Sequence, residues 1–519
     1  REKIVEMLAT GKCAFHENLL KELPEGILDI LKLNGVGPKK TSEFYRLLGI
    51  GSVDELERTA LAGGLRELPG LGEKSEQKIL RAIEAYRKIS GRFNLALAWS
   101  EAAGLMDYIR TVAGVEDVAA AGSLRRWRES IGDIDILAAS ENSAALMKAF
   151  TAYRDVREVL MQGPTKSTVL LGSGFQVDLR VVKKASFGAA LQYFTGSKAH
   201  NIAMRERAVK MGLKINEYGV FDKEGKSIAG ATEDEVYRAV GLPFIRPELR
   251  ENTGEIETAL EAKLPQALEL ADIKGDLHAH TNQSDGSATL EEMASAAMER
   301  GYEYLAITDH SKALGVAHGL DTKRALSEME AIDSFNERLQ MSGISFRLLK
   351  GAEVDIMADG SLDHPAGLLK KMDCVVGSIH SGFTMTEARM TERIIKAMST
   401  GLIDIFAHPT GRLISVRPPY EVDMAAVMDA ALKYKVIMEL NSCSERLDLK
   451  DSHLRLAKER GILIAISTDA HSTLQLSNIV FGLHTAVRGW LGPENVINTL
   501  GLGELTAHLA LRRGVGPKG

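Results

Sequence analysis

The chain has 519 residues, 45% of them hydrophobic and 26% charged, with a formal net charge of -6. That length exceeds one ordinary core and predicts about three or four domains. No apolar run approaches the roughly 18 residues of a membrane span, and no charged-then-apolar leader opens the chain, so a cytoplasmic protein without a membrane partner is expected. Cys13, Cys374 and Cys443 stand far apart with no CxxC pairing, which excludes a disulfide scaffold or a thiolate zinc ribbon and fits a reducing compartment. The negative charge, taken alone, argues against a nucleic-acid partner. It is unevenly placed, however: the first 250 residues carry more Lys and Arg than Asp and Glu, and the remainder carries the opposite excess.

The first 90 residues read as helical, with an internal repeat. Leu33-Asn34-Gly35-Val36-Gly37-Pro38-Lys39-Lys40 is echoed by Leu68-Pro69-Gly70-Leu71-Gly72-Glu73-Lys74-Ser75, each copy preceding an amphipathic pattern. Gly-x-Gly gives access to positive φ and leaves the next helix's amides open. Those amides, the helix dipole and a neighbouring lysine such as Lys39 suit a phosphate of a DNA backbone, bound without base readout. A single copy is equally well explained as a tight turn between helices; two copies point to DNA. The pattern resembles helix-hairpin-helix motifs, and residues 1–91 are expected to form such a domain, with Gly35, Gly37, Lys39, Gly70 and Gly72 on DNA.

Mixed helix and strand signals follow from about 93 to 250. Gly122-Ser123-Leu124-Arg125-Arg126 precedes Gly132-Asp133-Ile134-Asp135-Ile136-Leu137. On a strand, Asp133 and Asp135 share a face while Ile134 and Ile136 take the other. A second strand pattern, Phe175-Gln176-Val177-Asp178-Leu179-Arg180, adds a third carboxylate in an apolar frame. Three such carboxylates on neighbouring strands suit two divalent ions about 3.5–4 Å apart, and hard oxygen donors suit Mg²⁺ or Mn²⁺. An isolated Asp-x-Asp is better read as an acidic surface turn; next to Gly-Ser and inside apolar runs it is a nucleotidyltransferase arrangement. Tyr193-Phe194-Thr195-Gly196-Ser197, with Asn201 and Arg205, narrows it further.

Together GSLRR, GDID, VDLR and YFTGS resemble the X-family DNA polymerases over roughly residues 1–250. The resemblance implies a nucleotidyltransferase palm at 92–183, a nucleotide- and template-binding subdomain or thumb at 184–250, and deoxynucleoside triphosphates and gapped or primer-template DNA as partners. It implies metals on Asp133, Asp135 and Asp178, with Asp178 accepting the primer hydroxyl's proton. It places Ser123, Arg126 and Gly132 on the triphosphate, and Tyr193, Phe194 and Gly196 against the sugar. Asn201 is implied at the base's minor-groove edge and Arg205 on the template. Gln176 and Lys198 depart from residues found in some relatives. The chain is expected to begin partway through the family's small N-terminal domain. There Lys3 stands where lyase relatives carry a Schiff-base amine, although a solvated helix lysine is the preferred reading.

A Pro- and charge-bearing stretch, 251–271, reads as a linker. After Asp272, seven strand-like runs alternate with helical segments, and nearly every run ends in a potential metal ligand: Asp276-Leu277-His278-Ala279-His280, then Thr308-Asp309-His310, Gly351-Ala352-Glu353, Ser378-Ile379-His380, Phe406-Ala407-His408 and Asp469-Ala470-His471. A further run ends at Glu439-Leu440-Asn441, and Asp285 sits in a Ser-Asp-Gly turn. Parallel β/α units gather such ends at one mouth. A lone histidine after a strand is usually structural, but a series of this kind is not. Imidazole and carboxylate without thiolate suit Zn²⁺, Mn²⁺ or Fe²⁺.

This series resembles the polymerase-and-histidinol-phosphatase (PHP) domain, expected over 272–519 as a distorted (βα)7 barrel holding three divalent ions. By that resemblance Glu353 bridges two ions, one also on His278, His280 and Asp469, the other on His380 and His408, while Asp285, His310 and His471 hold the third. The whole reads as a monomeric, nucleoid-associated, multidomain α/β and α+β enzyme. Its expected activities are short-gap filling in DNA repair and processing of DNA 3′ ends as 3′–5′ exonuclease, 3′-phosphatase or abasic-site endonuclease. The alternatives are a polymerase or a DNA-binding scaffold carrying a small-molecule phosphatase.

Overall fold

A computed structural model describes residues 24–512 apart from 25, 32, 34, 69, 90 and 91; Lys3, Cys13 and the hairpin residues Asn34 and Pro69 lie outside the described residues. The chain divides into two compact units, residues 1–92 with 413–418, and the rest.

In the first unit, helices Ile27–Leu31, Pro38–Leu48, Val53–Leu61 and Glu73–Ile89 surround a core that includes Ile30, Phe44, Leu56, Leu65, Ile79 and Ile83. The sequence repeat is visible in three dimensions. Leu33 and Val36, and their counterparts Leu68 and Leu71, are buried in that core, while Gly35, Gly37, Gly70 and Gly72 face outward. Gly35 and Gly70 adopt φ of 80° and 79°, a conformation that costs glycine nothing and other residues strain. Pro38 then starts the first hairpin's second helix at its N-terminus, where a missing amide hydrogen is harmless.

The second unit contains a five-stranded sheet, a small three-stranded sheet and a barrel. The five strands are β1 (Val115–Ala120), β2 (Ile134–Ser140), β3 (Val156–Gln162), β4 (Lys166–Leu171) and β5 (Gln176–Val182), in spatial order β1-β2-β5-β4-β3. Only β2 and β5 pair in parallel, and their register sets Asp135 opposite Asp178. Helices Phe187–Thr195 and Lys198–Lys210 lead to the small antiparallel sheet β6 (Lys214–Asn216), β7 (Gly219–Phe221) and β8 (Ser227–Ala229).

A hydrophobic cluster built on Met204, Val220, Val236, Tyr237 and Ile245 fills this subdomain. Ile256 and Ala259 of the helix Glu255–Leu260 belong to the same cluster, as does Trp490 from near the C-terminus. The stretch 251–271, read from its composition as a linker, is thus partly a packed element. Its charged face hides the apolar positions that dock it. The Arg250 guanidinium is fully buried, paired with Glu233 at 2.6 Å and set between the rings of Tyr237 and Phe244. Glu233 also receives Arg125, which ties the GSLRR segment to this subdomain.

The barrel strands are β9 (Gly275–Ala279), β10 (Tyr304–Ile307), β11 (Arg347–Asp355), β12 (Cys374–Ser378), β13 (Ile405–Phe406), β14 (Ile437–Asn441) and β15 (Ile464–Ser467), all parallel and in sequential order. Alternation divides them cleanly. Leu277, Tyr304, Ala306, Leu349, Val376 and Ile405 form one cluster, while Leu305, Ile307, Leu348, Phe406 and Met438 join another with the surrounding helices. Both faces are buried, as all-parallel sheets require. The seam between first and last strands is bridged by backbone bonds from His280 N to Ala470 O (2.8 Å) and from Asp469 N to His278 O (2.9 Å).

Truncating Arg250 leaves buried Glu233 with only the Arg125 guanidinium as partner, so Arg250→Ala is expected to lose about 3 kcal/mol, the low end for breaking a buried pair. Thermal unfolding followed by calorimetry would register this in the transition that includes the small subdomain.

Two candidate metal-dependent active sites

The first site sits where β2 and β5 run side by side. Asp135 and Asp178 face each other in register, and Asp133 precedes β2 on the exposed side. Burial, with Asp133 and Asp178 close by, pushes the Asp135 carboxyl up to about 6. Asp178 is nearly buried; its Oδ1 accepts from the Thr168 hydroxyl at 2.7 Å and its Oδ2 lies 2.7 Å from the Lys166 ammonium. Crowded carboxylates that already recruit a cation are suited to a divalent one. Gly122 reaches this cluster from the short helix Gly122–Arg125, which also carries Ser123. A Cβ on Gly122 would stand 2.2 Å from Asp135 Oδ2, and the residue's φ is 58°. Only glycine brings the backbone that close.

Arg126 donates to the Thr195 carbonyl at 2.6 Å and to Glu251 at 3.1 Å. Gly132 lies in the turn just before Asp133. Tyr193 and Phe194 meet edge to face at 5.2 Å, and Arg180 lies over the Phe194 ring. Gly196 approaches Arg126 at the end of the helix Phe187–Thr195. Asn201 is turned inward: its amide donates to Tyr193 O at 2.7 Å and accepts from Gln192 at 2.8 Å. Arg205, one turn on, is exposed, as are Gln176 and Lys198.

The second site lies at the C-terminal ends of the barrel strands. Side chains arrive from β9 (His278), β11 (Glu353) and the segments after β9, β10, β12, β13 and β15 (His280, His310, His380, His408, Asp469, His471). Glu353 Oε1 faces His408 Nε2 at 2.9 Å and His380 Nε2 at 3.2 Å. Its Oε2 faces His310 Nδ1 at 2.8 Å, His278 Nε2 at 3.3 Å and His280 Nε2 at 3.5 Å. Asp469 Oδ1 lies 3.1 Å from His280 Nε2, and Asp285 lies 3.5 Å from His310 and 3.3 Å from His471.

Three sets therefore have ligand atoms within 4.8 Å of one another: His278, His280, Glu353 and Asp469; His310, Glu353 and His380; His280, Asp285, His310 and His471. His278 Nε2 and Glu353 Oε2 are buried without a hydrogen bond, which is how a donor set fit for metal looks when nothing else satisfies it.

The electrostatics agree. Burial opposes every charge here, yet the carboxylates win: Glu353 and Asp285 hold the His310 imidazole up to about 10, and Glu353 and Asp355 hold His380 up to about 9. His280 goes the other way, down to about 4, through burial and the neighbouring His310 and His471. Glu353 and Asp469 stay well below the usual carboxylate range despite their burial, because of the histidines around them.

Three family models match the chain: a SAM-like helix-hairpin-helix tandem over residues 27–85, the DNA polymerase beta thumb over 190–251, and the PHP domain over 276–443. The DNA polymerase/3′-5′ exonuclease PolX of Bacillus subtilis is 38% identical over 509 residues, 98% of this chain and 88% of that protein. The chain belongs to the X-family of DNA polymerases. Over 236 residues the chain is similar to a probable phosphatase of Thermoanaerobacter sp., at 31% identity over 43% of this chain and 89% of the relative. It is also similar to the probable phosphatase YcdX of Escherichia coli, at 26% over 43% and 89%. Among solved structures, a ternary complex of Leishmania infantum polymerase beta matches at 23% identity with a TM-score of 0.29, over 44% of this chain and 98% of that one.

Beyond the residues expected from sequence, this X-family chain carries an outer ring of carboxylates. Glu439 lies 2.7 Å from His278 Nδ1 and accepts the His408 amide at 2.6 Å. Asp355 lies 3.2 Å from His380 Nδ1. Asn441 donates to Asp469 at 3.0 Å, and Asp309, held by Thr281 and Ser284, lies 4.0 Å from His280 Nδ1. Such partners fix a ligating imidazole's orientation and tautomer. Their signal in sequence is position alone: each sits at a strand end, within two residues of a candidate ligand or on the run that ends at Glu439-Leu440-Asn441.

Gly122→Ala should lower nucleotide incorporation by about a hundredfold or more, since displacing a reacting group by about 1 Å costs that much, while leaving 3′-end degradation intact. Metal loading of the barrel should release protons. His310 and His380 hold theirs up to about 10 and about 9 without metal. Near neutral pH an ion bound by either imidazole must therefore displace its proton, and affinity at those positions should rise with pH until that range is passed. Titration calorimetry in buffers of different ionisation enthalpy measures the protons released.

Proposed function

We propose that this chain extends DNA primers across short gaps at the β2/β5 site and removes or repairs DNA 3′ ends at the barrel mouth, acting as a 3′–5′ exonuclease. What supports this reading is the presence of two separate clusters of candidate metal ligands in one chain that aligns along almost its whole length with a polymerase/exonuclease. Asp133, Asp135 and Asp178 would hold two Mg²⁺ or Mn²⁺ ions, and the nine barrel ligands three ions of Zn²⁺, Mn²⁺ or Fe²⁺. When bound, such ions neutralise charge developing on phosphoryl oxygens and favour a deprotonated nucleophile.

The rest falls to this chain's side chains. Asp178 takes the proton of the primer 3′-hydroxyl. The open amides beside Ser123 and the Arg126 guanidinium hold the triphosphate, with the Gly132 turn beneath them. Tyr193, Phe194 and Gly196 pack on the sugar. Asn201 reaches the incoming base only by releasing Tyr193 O, and Arg205 faces the template strand. Gly35, Gly37 and Lys39, with Gly70 and Gly72, grip the DNA backbone outside the gap. At the barrel, Glu353 orders the histidines about one carboxylate, with Asp285 at the outer edge where a DNA terminus enters. We read the protein as a cytoplasmic, nucleoid-associated monomer; no helix among the described residues is long and apolar enough to cross a membrane.

The phosphatase relatives of the barrel favour a second reading, hydrolysis of a small phosphomonoester. One pair of assays separates the readings: primer extension on a gapped duplex and Mn²⁺-dependent degradation of a 3′ end. Asp178→Ala should reduce extension by about a thousandfold and spare degradation, and His280→Ala should do the reverse. Degradation that survives His280→Ala would put the nuclease elsewhere, and turnover of histidinol phosphate without any attack on DNA would favour the phosphatase.

A further inference from the structure

The loop that follows GSLRR is held from outside the polymerase half. Trp127, at φ 54°, stacks on His484 of the helix Ile479–Arg488, with ring centroids 3.6 Å apart and planes 9° from parallel. His484 is itself anchored to the buried Glu248 at 2.7 Å. At the far end of the loop, Glu129 pairs with Arg412 at 2.9 Å. The centre of the arrangement is Arg488, whose side chain is only 4% exposed. Its Nη1 donates to the Arg126 carbonyl at 2.7 Å and to Glu251 Oε1 at 3.1 Å, while Nε and Nη2 donate to Asp451 at 3.1 and 2.8 Å. The same Glu251 oxygen accepts from Arg126 Nε at 3.1 Å.

We propose that Arg488, a residue of the barrel's last helical layer, is a positioning residue for nucleotide binding in the polymerase site, acting through Arg126. This rests on the reading of Arg126 as a triphosphate ligand. Arg488 works on Arg126 in two ways. It fixes the backbone from which the guanidinium projects, and it shares the carboxylate that competes with phosphate for that guanidinium. Without Arg488, Glu251 pairs more strongly with Arg126, and the carbonyl that sets the loop's position loses its donor. Both changes weaken the hold on an incoming triphosphate, and neither touches the carboxylates that carry out the transfer. Asp451 keeps Arg488 in place by engaging the two nitrogens that Arg126 and Glu251 do not use.

The full-length protein tests this with single-nucleotide gap filling at varied dNTP. Arg488→Ala should raise KM for dNTP by roughly tenfold, equivalent to about 1.4 kcal/mol, with kcat within about twofold and 3′-end degradation unchanged. In an Arg126→Ala background, the same substitution should add nothing to KM, because the two residues act in series. A KM that stays at the parent value, or one that rises by the full factor in both backgrounds, overturns the proposal. If Arg126→Ala alone leaves KM unchanged, the triphosphate reading of Arg126 fails first and the proposal falls with it. Should Arg488→Ala fail to fold, Arg488→Lys decides: one ammonium cannot serve Asp451, Glu251 and the carbonyl together, so KM should rise above the parent value. Parent-like KM in a folded lysine variant overturns the proposal.

Discussion

Parallel pairing of strands is the constraint on which both candidate sites depend. Parallel neighbours end on the same side, so side chains at equivalent ends are brought together whatever their mutual repulsion. In the five-stranded sheet a single parallel pair, β2 with β5, presses Asp135 against Asp178. In the barrel, the parallel strands gather imidazoles and carboxylates at one mouth. Packing of the apolar faces fixes these ends, and the crowding appears in the Asp135 carboxyl, raised by burial and two neighbouring carboxylates, and in His280, lowered by burial and neighbouring histidines, while the carboxylates facing His310 raise it. Cations resolve that crowding, which makes metal affinity and fold two aspects of one arrangement.

Most of the candidate barrel ligands stand out in the sequence because they close an apolar run, and successive runs ending in His, Glu or Asp leave little choice of location. The glycine hairpins are legible for a similar reason: Gly35 and Gly70 recur in the same frame between the same apolar residues. The outer carboxylates are not, since Glu439 and Asp355 reveal their role only through a histidine brought to them by the fold. The packing of Ile256 and Ala259 is hidden for another reason. Two apolar positions on a six-residue helix are too few to stand out among the charges around them. Asn201's inward turn and the Lys166–Asp178 contact depend on rotamers and on strand register, which sequence periodicity does not carry.

The contacts between the polymerase half and the barrel are of the same hidden kind. Trp127, Arg488 and Trp490 look like ordinary scattered aromatics and charges along the chain. In three dimensions, Trp490 completes the small subdomain's core and Trp127 stacks across the junction. A junction with an aromatic stack, buried ion pairs and a shared core is stiffer than a tether between independent modules. The two activities are therefore carried on one body, with the orientation of each site fixed relative to the other.

The seam of the barrel has a consequence for biosynthesis. His278 stands on the first strand and His280 directly after it, while Asp469 and His471 follow the last, and backbone bonds between these two segments close the ring. A nascent chain emerging from the ribosome completes the β2/β5 pair before the first barrel strand has been made. The barrel cluster lacks two of its candidate ligands until the last barrel strand has been made. It is thus assembled only after the last barrel strand, and a product ended before β15 carries no assembled cluster.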